Sequence, residues 1–167
     1  LAIVNPKAQT TRHRIIGVKN GENYQIVYSD TPGILTKTSY GMHEKMMHFV
    51  NESVRDSDVL VLLIDIHGKE FSEDIKEKFH QAKAKKIICI NKMDLVQYQQ
   101  STFESIQNSL TELIAQTTFE GQEISFLPIS SLYGQNITQP AELMPWYQGN
   151  TLLGELEAFE FAETQSK

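Results

Sequence analysis

Three short segments carry residues whose types and spacing can do chemistry. In Asn91-Lys92-Met93-Asp94, the Asp94 carboxylate can accept two hydrogen bonds from neighbouring ring donors, and the Lys92 stem can lie over a flat base. Guanine offers such a pair at N1 and N2. Adenine does not, and would leave a desolvated carboxylate unpaired. In Ser130-Ser131-Leu132, a backbone N–H of the serine pair can donate to a carbonyl such as guanine O6. In Asp30-Thr31-Pro32-Gly33, the carboxylate can hold a water of a Mg²⁺ ion, which keeps most of its hydration shell. A glycine three residues on lets backbone approach a phosphate and present its N–H. Before these stands Gln9-Thr10-Thr11-Arg12-His13-Arg14, where a threonine hydroxyl can ligate Mg²⁺. Each segment has a plainer reading as a turn or polar loop. Their common order along the chain is the stronger signal.

The elements that must position these residues follow from periodicity. Residues 14–19 and 24–29 flank Asn20-Gly21, which predicts a hairpin closed by a two-residue turn with positive φ. Met42, Met46, Phe49 or Val50, and Val54 predict a helix over about 40–55. The apolar stretch Asp58–Ile66 and the run Ile87–Ile90 predict strands buried on both faces of a parallel sheet. Ser72-Glu73-Asp74 predicts a helix start, with Ile75, Phe79 and Ala82 on one face. Phe103, Ile106, Leu110, Leu113 and Ile114 predict a longer amphipathic helix, Glu123–Pro128 a strand, and Thr151 to about Phe161 a last helix. The alternation implies an α/β, doubly wound, mostly parallel sheet with one antiparallel hairpin strand. In such sheets ligands bind beyond the carboxyl ends of strands, where each of the three segments falls.

Composition is that of a soluble globular domain, 40% hydrophobic with a formal charge of −6. The negative balance argues against a surface built to coat nucleic acid. The basic cluster Lys83, Lys85 and Lys86 reads as a solvated loop. Cys89 is the single cysteine, which excludes an intrachain disulfide, fits a reducing cytoplasm and suggests a small buried hydrophobe. His43, His48, His67 and His80 show no metal-ligand spacing. No run is long enough to cross a membrane as a helix. The chain opens on Leu1-Ala2-Ile3-Val4 without a Met, which reads as the interior of a longer protein, and the tail 163–167 reads as frayed.

With these residues assembled, Lys7 to Ile15 and Asp30 to Gly33 resemble the Era family of ribosome-assembly GTPases, a likeness that continues to about residue 85. The resemblance implies a P-loop NTPase-type GTPase domain over residues 1–162 that uses GTP/GDP and Mg²⁺. It implies that Thr11 (or Thr10) ligates Mg²⁺, that Asp30 holds the ion's water shell, and that Gly33 touches the γ-phosphate. Asn91, Lys92, Asp94, Ser130, Ser131 and Leu132 then take the guanine base. Ile34 stands where many GTPases carry a water-orienting Gln, so the attacking water is positioned by something else. In the intact family the partner is 16S rRNA on the small ribosomal subunit, bound through a KH domain to which nothing in this chain corresponds. From about Ile87 onward, Ile90 to Val96, Phe126 to Ile137 and Met144 to Gly149 look more like the GTPase domain of translation factors, closest to the sulfate adenylyltransferase large subunit, whose partner is its small subunit. The change suggests a junction of two related domains near 84–87.

The G-x-x-x-x-G-K-[ST] phosphate loop occurs nowhere in the 167 residues. The family places that loop between a central strand and a helix ahead of the segment that begins here. The expectation is weak or no GTP binding and marginal stability for the chain as written, which leaves GTP hydrolysis dependent on a supplied loop. A non-catalytic binding module is the remaining reading.

Overall fold

The computed structural model describes residues 15–30, 51–67, 77, 79, 80, 82–115 and 124–159. The chain divides into two compact units, Leu1–Leu60 with Glu70–Ala84, and Val61–Lys69 with Lys85–Lys167.

In the first unit, β1 (Ile15–Asn20) and β2 (Gln25–Asp30) form an antiparallel hairpin with Ile15 opposite Asp30 and Asn20 opposite Gln25. The expected two-residue turn is not what forms. The register leaves a four-residue loop, Gly21–Tyr24, closed by the Gly21 N–H on the Tyr24 carbonyl at 2.8 Å. Neither Asn20 nor Gly21 has positive φ. Side chains at the strand ends favour this register: the Gln25 amide donates to Asn20 Oδ1 at 2.8 Å, and Lys19 Nζ reaches the Tyr24 hydroxyl at 3.1 Å. Gly21 serves space rather than φ, since a Cβ there would meet the Tyr24 ring at 2.3 Å. Residues 51–55 are helical and end where the 40–55 helix is expected to end; its earlier turns lie outside the described residues. Helical residues at 77, 79 and 80, with Phe79 and Ala82 buried, fit the expected second helix, whose start at Ser72 also lies outside them.

The second unit holds all but the first two residues of a three-stranded sheet in the order β3-β4-β5, comprising β3 (Val59–Asp65), β4 (Lys85–Asn91) and β5 (Ile124–Pro128). β4 and β5 are parallel, with Ile87 opposite Ser125 and Ile90 opposite Pro128. The central strand β4 is as expected: Ile87, Ile88, Cys89 and Ile90 are each 0% exposed. Burial pushes the Cys89 thiol up to about 12, so it is an inert packing group. β3 departs from expectation. It is half-buried, with Leu63 60% exposed, and among the described residues β4 is its one neighbouring strand.

The basic cluster is also corrected. Lys85 and Lys86 are strand residues, Lys86 is fully buried, and only Lys83 is exposed. Desolvation lowers the Lys86 pKa. A 3₁₀ turn, Met93–Val96, leads into α1 (Gln100–Ala115), whose apolar stripe behaves as its spacing predicts. Phe103, Leu110 and Ile114 are buried, and Ile106 and Leu113 half-buried. Phe103 meets Ile90, Met93, Ala141 and Met144 in one core, against which Trp146 and Tyr147 pack. The Phe103 and Trp146 ring centroids are 5.4 Å apart, and Trp146 Nε1 donates to the Tyr98 carbonyl at 3.0 Å. The 144–147 segment is thus a core strap. Burial pushes the Tyr147 hydroxyl up to about 12.

The last helix, α2 (Leu152–Glu157), starts where expected, with the Thr151 hydroxyl accepting from Gly154 N–H at 3.0 Å. It ends earlier than the expected Phe161. Glu155 staples it to the sheet: Oε2 accepts from Lys85 Nζ at 3.1 Å and Ser125 Oγ at 3.0 Å, and Oε1 from Asn150 Nδ2 at 3.0 Å. Burial alone would raise the Glu155 pKa. The hydrogen bonds from Lys85, Asn150 and Ser125 outweigh it and hold the value below the ordinary glutamate range. A depressed folded-state pKa stabilises above the unfolded value and loses that contribution as pH falls through the folded value. The melting temperature should therefore fall as pH drops below about 4.5, and Glu155→Gln should flatten that slope. At neutral pH the Glu155→Gln variant should be less stable by about 1–3 kcal/mol, read by urea denaturation, because Lys85 and the two other donors lose a charged acceptor.

Candidate functional site

Two loops leave the carboxyl ends of adjacent parallel strands: residues 91–94 after β4 and 129–132 after β5. Backbone bonds splice them, from Ile129 N–H to the Ile90 carbonyl at 2.9 Å and from Met93 N–H to the Ile129 carbonyl at 3.2 Å. The Asn91 side chain is the second splice. Its Oδ1 accepts from Lys92 N–H at 2.8 Å and Ser131 N–H at 3.0 Å, and its Nδ2 donates to Ser131 Oγ at 2.9 Å. The third is Ser130, fully buried, whose hydroxyl donates to Asp94 Oδ1 at 2.6 Å. This bond fixes the carboxylate's direction while its oxygens keep further lone pairs. Five of the expected site residues, Asn91, Lys92, Asp94, Ser130 and Ser131, thus lie in one hydrogen-bonded constellation with Met93 buried beneath. Leu132 is the next residue and 75% exposed.

Ser130 N–H donates to the Gln135 carbonyl at 3.2 Å and Ser131 N–H to Asn91, so both serine donors are engaged within the protein. The Leu132 N–H is the next donor along the loop.

Of the other expected residues, Asp30 ends β2 as anticipated. Thr11, Thr10, Gly33 and Ile34 lie outside the described residues. Among the described residues no group of three His, Cys, Asp or Glu is placed to hold a metal ion, and no helix is long and apolar enough to cross a membrane.

Two residues that the motif reading passes over complete the arrangement. Asn136 sits in the left-handed region at φ 55 and is buried. Its Nδ2 donates to the Pro128 carbonyl at 2.9 Å and its Oδ1 accepts from Ala141 N–H at 2.7 Å, which anchors the 130–135 loop. Asparagine in that φ region is its sequence signal. Asp65, the last residue of β3, forms an ion pair with Lys92 Nζ and accepts from His67 N–H at 2.9 Å. Burial raises its pKa. The hydrogen bonds from Lys92 and His67, with their charges, outweigh that and lower it overall. A polar residue closing an apolar strand, as Asn91 closes β4, was the signal available for Asp65.

The elongation factor Tu GTP binding domain model matches residues 6–159. The chain belongs to that family. Among the curated relatives, GTPase Era of Pasteurella multocida is 32% identical over 140 residues, covering 83% of this chain and 43% of its own length. A crystal structure of Era with MgGDPNP and nucleotides 1506–1542 of 16S ribosomal RNA superposes with TM-score 0.68 at 29% identity, covering 81% of this chain and 44% of that one. Translation elongation factor SelB from Methanococcus maripaludis shares the fold, with TM-score 0.56 at 19% identity over 74% of this chain and 25% of its own. The chain is thus an Era-like member of the family with the P-loop GTPase-domain fold. It spans less than half the length of the Era proteins it matches.

Asn136→Ala should destabilise the chain by about 2–4 kcal/mol in urea denaturation, because the Pro128 carbonyl and Ala141 N–H both lose their buried partner.

Proposed function

We propose that residues 91–94 and 130–132 hold the base of GTP or GDP and that the chain is the nucleotide domain of a Mg²⁺-dependent, Era-like GTPase. The observation that carries this is the 2.6 Å bond from buried Ser130 to Asp94, which aims a carboxylate out of two spliced strand-end loops. The donor set fits guanine. Asp94 accepts from N1–H and N2–H, the Leu132 N–H donates to O6, and the Lys92 stem covers the ring. Asn91 ties the two loops and keeps these groups in register. Thr11 (or Thr10) and Asp30 are the residues assigned to Mg²⁺ and its water shell, and Gly33 N–H to the γ-phosphate. Mg²⁺, when bound, supplies neutralisation of phosphate charge for attack by water. The whole protein's partner is small-subunit ribosomal RNA, with the cytosol as its place of action; this rests on the Era likeness. Stimulation of GTP turnover by small-subunit ribosomal RNA, in a chain supplied with a phosphate loop, is the expected outcome, and no stimulation overturns this partner.

Titration of the ¹⁵N-labelled chain with GDP up to millimolar concentration tests the base site directly. Amide shifts should concentrate at 91–94 and 130–132, ADP should not reproduce them, and Asp94→Ala should weaken binding more than about tenfold. An equal response to ADP, or an unchanged response in Asp94→Ala, overturns the proposal.

A further inference from the structure

We infer that Asp65 is a positioning residue for nucleotide binding: it holds Lys92 where its stem covers the base, and so sets affinity for guanine nucleotide. The inference rests on the reading of residues 91–94 as the base site. Taken alone, the Asp65–Lys92 ion pair is unremarkable, with side chains 37% and 51% exposed, and such pairs contribute little to stability. Its geometry gives it a different use.

Both ends are anchored by backbone. Asp65 Oδ1 is occupied by His67 N–H, two residues on, which turns Oδ2 toward Lys92. The Ile66 N–H donates to the Asn91 carbonyl at 3.2 Å, so the ends of β3 and β4 cannot slide apart without breaking it. Lys92 itself lies in the left-handed region at φ 68, ψ 34, which sets the direction in which its side chain leaves the loop. Asp94, two residues later, is fixed by Ser130. The carboxylate that reads the base and the lysine that covers it are thus held from opposite sides, one by β5's loop and the other by the end of β3.

A lysine has four rotatable side-chain bonds, and ordering it on binding opposes association. A lysine whose ammonium is already tethered has less freedom to lose. Asp65 therefore acts through Lys92 and through the base alone.

The test is a double-mutant cycle on the full chain, read by the same GDP titration. Asp65→Ala should raise the GDP dissociation constant about three- to tenfold. Asp65→Asn should fall between, since its single amide oxygen can replace only one of the two carboxylate oxygens that now accept from Lys92 and His67 N–H. In a Lys92→Ala background, Asp65→Ala should have no further effect. Inorganic triphosphate, which has no base, should bind Asp65→Ala and the parent chain equally. An unchanged GDP constant in Asp65→Ala, or the same loss with Lys92 already removed, overturns the inference and leaves the base site standing. A parent chain that shows no GDP response at 91–94 removes the base-site reading and the inference with it.

Discussion

The constraint on which the second unit depends is the burial of the middle of β4. Four consecutive residues, Ile87 to Ile90, are withdrawn from water on both faces. A strand in that position has no freedom of register, since a one-residue slip would move every side chain to the opposite face. Its last residue, Asn91, therefore leaves the sheet at a fixed place and in a fixed direction. The polar loop that follows inherits its precision from an apolar strand. Met93, buried among Phe103 and Met144, anchors the loop from below.

Precision at the end of one strand does not make a site, which needs a second loop at a set distance. Here the two loops are joined three times over, by backbone bonds, by the Asn91 amide and by the Ser130 hydroxyl. Each bond is ordinary in strength, but the groups lie in a shared network, so losing one loosens the others. The pattern also explains why small polar side chains populate this end of the sheet. Asparagine and serine can bridge backbone groups a few ångströms apart, which longer side chains would overshoot.

Much of this was legible in the sequence, for physical reasons that differ by element. β4, β5 and α1 were readable because their apolar residues follow the period of their own backbone, and the strand-end rule then placed Asn91 and Ser130 correctly. The Asn20-Gly21 turn was misread because the dipeptide speaks for local φ alone, whereas the register was also favoured by Gln25 and Lys19 reaching across the strands. Lys86 was misread because a charge cluster says nothing about which strand face a lysine lands on. Asp65 and Asn136 escaped for a third reason: their partners, Lys92 and Ala141, became visible only when strands were neighbours or a loop had closed.

The staple between Lys85 and Glu155 joins residues 70 positions apart, at the first strand position of β4 and in the last helix. A chain emerging from a ribosome therefore exposes the strand that ends up most deeply buried long before the helix stapled to it has been made. At roughly 5–20 residues per second, those 70 residues take several seconds to appear. Early in that interval β4 has neither its parallel partner β5 nor the Trp146 strap, both of which follow before Glu155 does. The order of synthesis thus makes this unit one that completes from its far end, with a window in which the nascent strand needs shielding by a chaperone or by the ribosome surface itself.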